Sequence, residues 1–316
     1  MFLTLALIGY FALAIVDITD KFILSEQKVR PIVFTFYSAF PVLAVFFLLP
    51  FYGQPLNSRL DFFIATISGV AFALGLWTMY LGFLKSEVSH IGPLVGGLTP
   101  LFVLFFGQWF LGEILSGRVF IGVLLLSLGT LVVAFEYKKR HYELNNGVAW
   151  GMLAALLFAL SHVSAKYIYD SYDFSTGFIW TRGLMGVFGV LLLLSPILRK
   201  ELFGPTASTP SSPPPSATLA DRRAGGEKRS SDHLALIFTN KILGVTGTVL
   251  IQYAIALGSV TIVNALAGAQ FAILIMLVFL LSRFWPKLFK EEYSRAEIIQ
   301  EVGAIILIGL GLVMIV

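Results

Sequence analysis

Phe2–Leu24, FLTLALIGYFALAIVDITDKFIL, and Gly147–Tyr169, GVAWGMLAALLFALSHVSAKYIY, read as one segment written twice. At an offset of 145 residues Ala14 falls on Ala159, Asp17 on His162, Lys21 on Lys166 and Phe22 on Tyr167, and the same offset carries on to Val42 and Val187. Later blocks extend the duplication, pairing Tyr80 with Tyr253, Ser86 with Ser259 and Gly122 with Gly303. Each copy holds five long apolar stretches. Five is odd, so the second copy must cross a bilayer in the opposite sense to the first. That is the inverted-topology repeat of many secondary transporters, in which substrate is bound near the midplane where the repeats meet.

Composition supports a membrane reading. The 316 residues are 57% hydrophobic and 13% charged, against about 25% charged in a soluble domain. A spanning helix needs about 20 mostly apolar residues. Ten such stretches fit, at roughly 2–24, 31–51, 61–84, 90–112, 115–136, 146–169, 175–197, 234–257, 259–285 and 294–316. The expected fold is all-α and integral to the membrane: ten transmembrane helices in two inverted five-helix repeats, residues 1–140 and 146–316. The opening MFLTLALIGYFALAIV has no basic n-region and no small-residue cleavage site, so it reads as a first span.

The composition also excludes several classes. Without cysteine there are no disulfides and no thiolate metal sites. His90, His141, His162 and His233 are too scattered for a metal motif, and no cofactor is expected. No GxxxxGK[ST] loop is present, which argues against an ATP-driven pump. The net charge of +4 sits in loops between spans and concerns orientation rather than nucleic acid. Lys28, Arg30, Lys85, Lys138, Lys139, Arg140, Arg199 and Lys200 follow odd-numbered spans, whereas the opposite side has Arg59 and Arg118. By the positive-inside rule the basic loops are cytoplasmic and both termini lie outside.

Most connections are short, which places successive helices side by side. One is long: PTASTPSSPPPSATLADRRAGGEKRSSD, within residues 202–233, cannot bury apolar surface and is expected to be a disordered spacer. FWPKLFKEEYS, Phe284–Ser294, reads as an interfacial half-turn.

The stretch PLFVLFFGQWFLGEILSGRVFIGVLLLSLG, Pro100–Gly129, has a proline-started helix, a Leu-Gly-Glu turn and a glycine-spaced helix, echoed in EEYSRAEIIQEVGAIILIGLG. In this it resembles the drug/metabolite transporter superfamily, in its EamA-type ten-helix branch. The resemblance covers the spans and excludes the 202–233 insertion. It implies a transporter and is silent on substrate. It also implies cytoplasmic termini, against the charge distribution.

Charged groups in a span cost roughly 2.5–3.5 kcal/mol each, so each needs a reason. Asp17 and Lys21 lie four apart on one helical face, with Asp20 beside them, and His162 and Lys166 repeat that spacing in the mirrored span. Asp17 and His162 are the candidates for substrate binding and proton coupling; Asp20, Lys21 and Lys166 read better as snorkelling helix ends. Arg182, eight residues into the seventh span with Tyr37 as its repeat mate, cannot shed its charge. It calls for Asp17 or Asp20 as an ion-pair partner, or for an anionic substrate group such as carboxylate or phosphate. Asn264 and Gln270 on span nine, and Trp77 and Tyr80 on one face of span three, complete the candidate substrate site, with packing as the plainer role for each. Glu87 and His90 could relay a proton, Glu113 reads as a capping residue before Ser116, and the Gly92/Gly96 and Gly147/Gly151 pairs as helix contacts.

The leading expectation is a secondary transporter for a small metabolite, amino acid or drug-like molecule, multi-pass in the cytoplasmic membrane and not an enzyme. Its partners are a small-molecule substrate and the bilayer, with a homodimer left open. A flippase for a lipid-linked sugar is the alternative, and a membrane enzyme a remote one.

Overall fold

In hydrocarbon a backbone can bond only to itself, and the described residues of this chain answer with helices. The computed structural model describes residues 1–27, 30–85, 88–134, 146–203, 239–284 and 295–316. Among the described residues ten helices are long and apolar enough to cross a membrane. They are α1 (Phe2–Gln27), α2 (Pro31–Tyr52), α3 (Arg59–Lys85), α4 (Val88–Phe110), α5 (Gly117–Ala134), α6 (Asn146–Ser171), α7 (Phe174–Leu194), α8 (Thr239–Leu257), α9 (Val260–Ala265 and Ala267–Phe284) and α10 (Arg295–Ile315). Among the described residues there is no strand. The proline-rich segment from residue 204 on, residues 285–294, Glu87, His141 and His233 lie outside the described residues, as do the side chains of Asp20 and Lys21. Before that segment the chain forms a short helix that the sequence reading did not foresee, Pro196–Phe203.

Two helices change character partway. In α2 the α-helix Pro31–Ala39 passes into a 3₁₀ stretch, Phe40–Leu48. Pro41 has no amide to give the ladder and its ring crowds the preceding turn, which accounts for the switch. In α9 the helix breaks at Leu266, where Ala269 N–H bonds the Leu266 carbonyl at 2.9 Å.

Small residues set the packing, as expected where no hydrophobic effect drives helices together. Helix α2 runs against α7: Gly183 lies on Phe46, Gly186 on the backbone of Leu43 and Gly189 on Phe40. The partners step in opposite directions, so the same register sets Val187 against Val42, its repeat mate. Likewise α5 crosses α10 where Gly122 and Gly311 meet backbone to backbone. On α1, a Cβ at Gly9 would stand 2.8 Å from Ile251 and 2.9 Å from the Gly247 carbonyl, both on α8. The contact of α3 with α6 is drawn close by two reciprocal bonds, Ser68 Oγ to the Ser161 carbonyl at 2.9 Å and Ser161 Oγ to the Ser68 carbonyl at 2.7 Å. The glycine pairs behave as helix contacts: Phe271 of α9 fills the slot at Gly92 and Gly96, and Gly82 meets Gly147 and Gly151.

Candidate substrate site between the two halves

The site starts from a glycine. Gly69 has no side chain, and a Cβ there would lie 2.5 Å from the Met185 amide nitrogen and 2.6 Å from the Thr181 carbonyl. This lets the α3 backbone lie against α7. Phe72, three residues further along α3, then comes under Arg182, whose guanidinium carbon stands 4.1 Å from the ring centroid. Arg182 is 2% exposed, and its Nε, Nη1 and Nη2 have no hydrogen-bond partner. The Phe72 ring also meets Phe158 edge-on at 5.3 Å and the His162 ring at 6.0 Å, both on α6.

His162 does not bond Lys166, its neighbour one turn on. Its Nδ1 lies 2.6 Å from Asn264 Oδ1, and Asn264 Nδ2 donates to the Val260 carbonyl at 2.8 Å. The second bond fixes which way the amide points, so His162 Nδ1 is the donor and Nε2 is left as acceptor in the neutral ring. Lys166 instead pairs with Asp170 at 2.7 Å, as a helix-end residue would. Gln270, beyond the break in α9, donates from Nε2 to Asp17 Oδ2 at 2.5 Å. Asp17 and His162, mates in the duplicated sequence, are thus each bonded to a buried amide of α9. The break at Leu266 lets one helix turn one amide toward α6 and another toward α1.

Of the candidate residues, the structure pairs His162 with Asn264 and Asp17 with Gln270, and sets the Phe72 ring against both His162 and Arg182. Of the two carboxylates expected to pair with Arg182, Asp17 is held by Gln270 and the side chain of Asp20 lies outside the described residues, while the guanidinium rests on Phe72. Trp77 and Tyr80 do share a face of α3, but that face packs on α2. Trp77 joins an apolar cluster with Ile32, Val33 and Phe36, and Tyr80 meets Phe34 edge-on at 4.8 Å. Glu113 is not a cap. Gly112, at φ 65°, turns the chain out of α4 and sends the Glu113 carboxylate to accept from Thr261 Oγ1 of α9 at 2.5 Å. His90 Nδ1 lies 3.1 Å from the Ala134 carbonyl at the end of α5.

The sequence reading missed Phe72, Tyr169 and Gln252. The Tyr169 hydroxyl donates to Gln252 Oε1 at 3.0 Å, tying α6 to α8 beside Arg182. A glutamine inside the apolar run of α8 was the signal for this pair; nothing in the sequence singled out Phe72 from its many neighbours of the same type. Among the described residues no group of His, Asp and Glu is placed to hold a metal ion.

The end of the molecule where α2 meets α3 and α6 meets α7 is tied by polar bonds. Gln54 N–H donates to Thr176 Oγ1 at 3.1 Å, Trp180 Nε1 to the Gln54 carbonyl at 2.9 Å, and the Tyr172 hydroxyl to Asp61 at 2.6 Å.

Ten apolar helices around a buried polar cluster define a multi-pass membrane protein. Residues 1–135, which hold the whole of α1–α5, match the EamA-like transporter family, consistent with the drug/metabolite transporter superfamily. A solved crystal structure covers 98% of this chain and is itself covered over 98%, with a TM-score of 0.60 at 16% identity. At that identity the likeness concerns the fold alone. No curated protein matches the sequence.

Proposed function

We propose that this chain is a secondary transporter carrying a small metabolite, amino acid or drug-like molecule across the cytoplasmic membrane by alternating access between two inverted halves. The observation that carries the reading is the pairing of Asp17 and His162 with the amides of α9. A structural helix end has no need to keep a polar group at one depth in both copies, or to bond it to a buried amide. The inverted relation is supported by the helix contacts. Exchanging the two halves turns α1–α8 into α6–α3 and leaves α2–α7 and α5–α10 as they are, as a two-fold axis in the membrane plane requires.

Proton coupling is part of the proposal. His162 donates from Nδ1, so its Nε2 can take a proton without breaking the bond to Asn264. Asp17 accepts from Gln270 and can carry a proton on its other oxygen. The test is uptake of a metabolite panel into proteoliposomes with and without an imposed pH gradient. Gradient-driven accumulation of one compound, lost in His162→Phe with facilitated exchange retained, is the expected result. Accumulation unchanged by collapse of the gradient would remove the coupling and keep the carrier.

A further inference from the structure

Arg182 is the buried group that the helix packing does not explain. All three of its nitrogens are shut away from solvent without an acceptor. Of the polar groups beside it, Tyr169 gives its hydroxyl proton to Gln252 and His162 gives its Nδ1 proton to Asn264, so neither supplies a negative charge. Burying an ion costs several kcal/mol even after relaxation. A desolvated cation–π contact such as that with Phe72 returns about 2 kcal/mol. The balance is a guanidinium that an anion would stabilise.

The guanidinium carbon stands 4.1 Å from the Phe72 ring centroid, and the N–H groups of its planar fork have no hydrogen-bond partner. That planar fork matches a pair of oxygens on one atom. The charge count narrows the class. Among the described residues of this cluster Arg182 is the one fixed cation: Lys166 is paired with Asp170, and Lys241 sits over Phe34 at 4.1 Å, on another helix pair. One positive charge balances a carboxylate. A phosphate carries about −1.5 to −2 at neutral pH and would ask for a second cation.

We infer that Arg182 binds the carboxylate of the transported molecule, and that the substrate is an organic monoanion. The inference rests on the transport reading for the word substrate, but not for the site itself.

The experiment is thermal unfolding of the purified full-length protein in detergent, with benzoate and phenylacetate set against their neutral amides, and with inorganic phosphate alone. The two acids are expected to raise the melting temperature in a saturable way, while the amides do not. Arg182→Gln should weaken the acid response at least about tenfold while melting no lower than the parent, because a buried charge has been removed. Arg182→Lys keeps the charge without the fork and should fall between them. If Arg182→Gln does not fold, the contrast of acid with amide on the parent still decides. Amides stabilising as well as acids, or an undiminished acid response in a folded Arg182→Gln, would overturn the assignment, and phosphate acting in place of the acids would overturn the monoanion. Acid binding without uptake in proteoliposomes would sink the transport reading and leave the site. Uptake of neutral compounds that the acids do not inhibit would do the reverse.

Discussion

The contact of α3 with α7 has a counterpart in the contact of α8 with α2, and the two are not equal. Gly69, Phe72 and Arg182 correspond in the repeat to Ile242, Val245 and Tyr37. On the first pair the helices touch backbone to backbone and Arg182 is 2% exposed. On the second, Ile242 is 53%, Val245 57% and Tyr37 53% exposed. A glycine at one position and an isoleucine at its mate accounts for the direction of the difference, since only the glycine admits the other backbone. The duplication therefore supplies the frame, and the departures from it supply the chemistry. The charged residue stands in the half that closes over it.

The largest expected effect comes from erasing that difference. Gly69→Ile puts the residue of the mate where a Cβ already meets backbone at 2.5 Å, and backbone cannot step aside. Overpacking of this kind costs about 1–3 kcal/mol or more, and here it should be spent on parting α3 from α7. The chain has no cysteine of its own, so a single introduced one reports one place. Phe72→Cys is expected to react slowly with a small maleimide in the parent and at least about tenfold faster beside Gly69→Ile. Equal rates would mean that the α3–α7 contact does not shield Arg182. Gly309→Ala is the matched control, because a Cβ there meets nothing and should change neither rate nor stability.

How much of this was legible in the sequence follows from the range over which each signal acts. Hydropathy is local, and the observed spans lie close to the ends read from it. The repeat was read from mates such as Val42 and Val187, which keep their spacing along the chain. Polar residues inside apolar spans stood out as expensive, so Asp17, His162, Arg182, Asn264 and Gln270 were singled out. Their partners were not. Whether Arg182 meets a carboxylate or a ring depends on how far apart α3 and α7 lie, and Gly69 sets that distance from more than a hundred residues away. Trp77 and Tyr80 shared a face as read, but the sequence had no means of saying that α2 covers it. The break at Leu266 carries no proline or glycine of its own.

A middle-sized effect would sharpen the comparison between Asp17 and His162. Asn264→Ala leaves the His162 N–H buried without its acceptor, at a cost of about 1–3 kcal/mol. Gln270→Ala should cost less, since Asp17 has a further partner. Replacing both members at once, His162→Phe with Asn264→Leu, should recover most of the loss, because neither side is then left unsatisfied. Thermal unfolding of the three variants and the parent in one detergent gives the order. Equal losses for the two amides would mean that the repeat mates are held alike after all.

The smallest effect separates two helix starts of the second copy, those of α7 and α9. Asp173 caps α7, accepting from the Thr176 amide at 3.2 Å and its hydroxyl at 2.6 Å and from the Ser175 hydroxyl, while Ser259 caps α9, accepting from the Ile262 amide at 3.0 Å. Partial burial pushes the Asp173 carboxyl upward, but the bonds from Ser175 and Thr176 outweigh it and hold the group below its ordinary 3.8. A depressed carboxyl contributes stability that is fully present above the unfolded value and fades as the pH falls through the folded one. Either cap replaced by alanine should cost about 0.5–2 kcal/mol at neutral pH. The cost of Ser259→Ala should then stay constant on acidification, whereas that of Asp173→Ala should shrink below about pH 4, because the parent loses its charged acceptor there. Melting curves of both variants and the parent from pH 3 to 7 measure the two slopes. Parallel curves for Asp173→Ala and the parent over that whole range would show that the carboxylate charge contributes nothing to the cap.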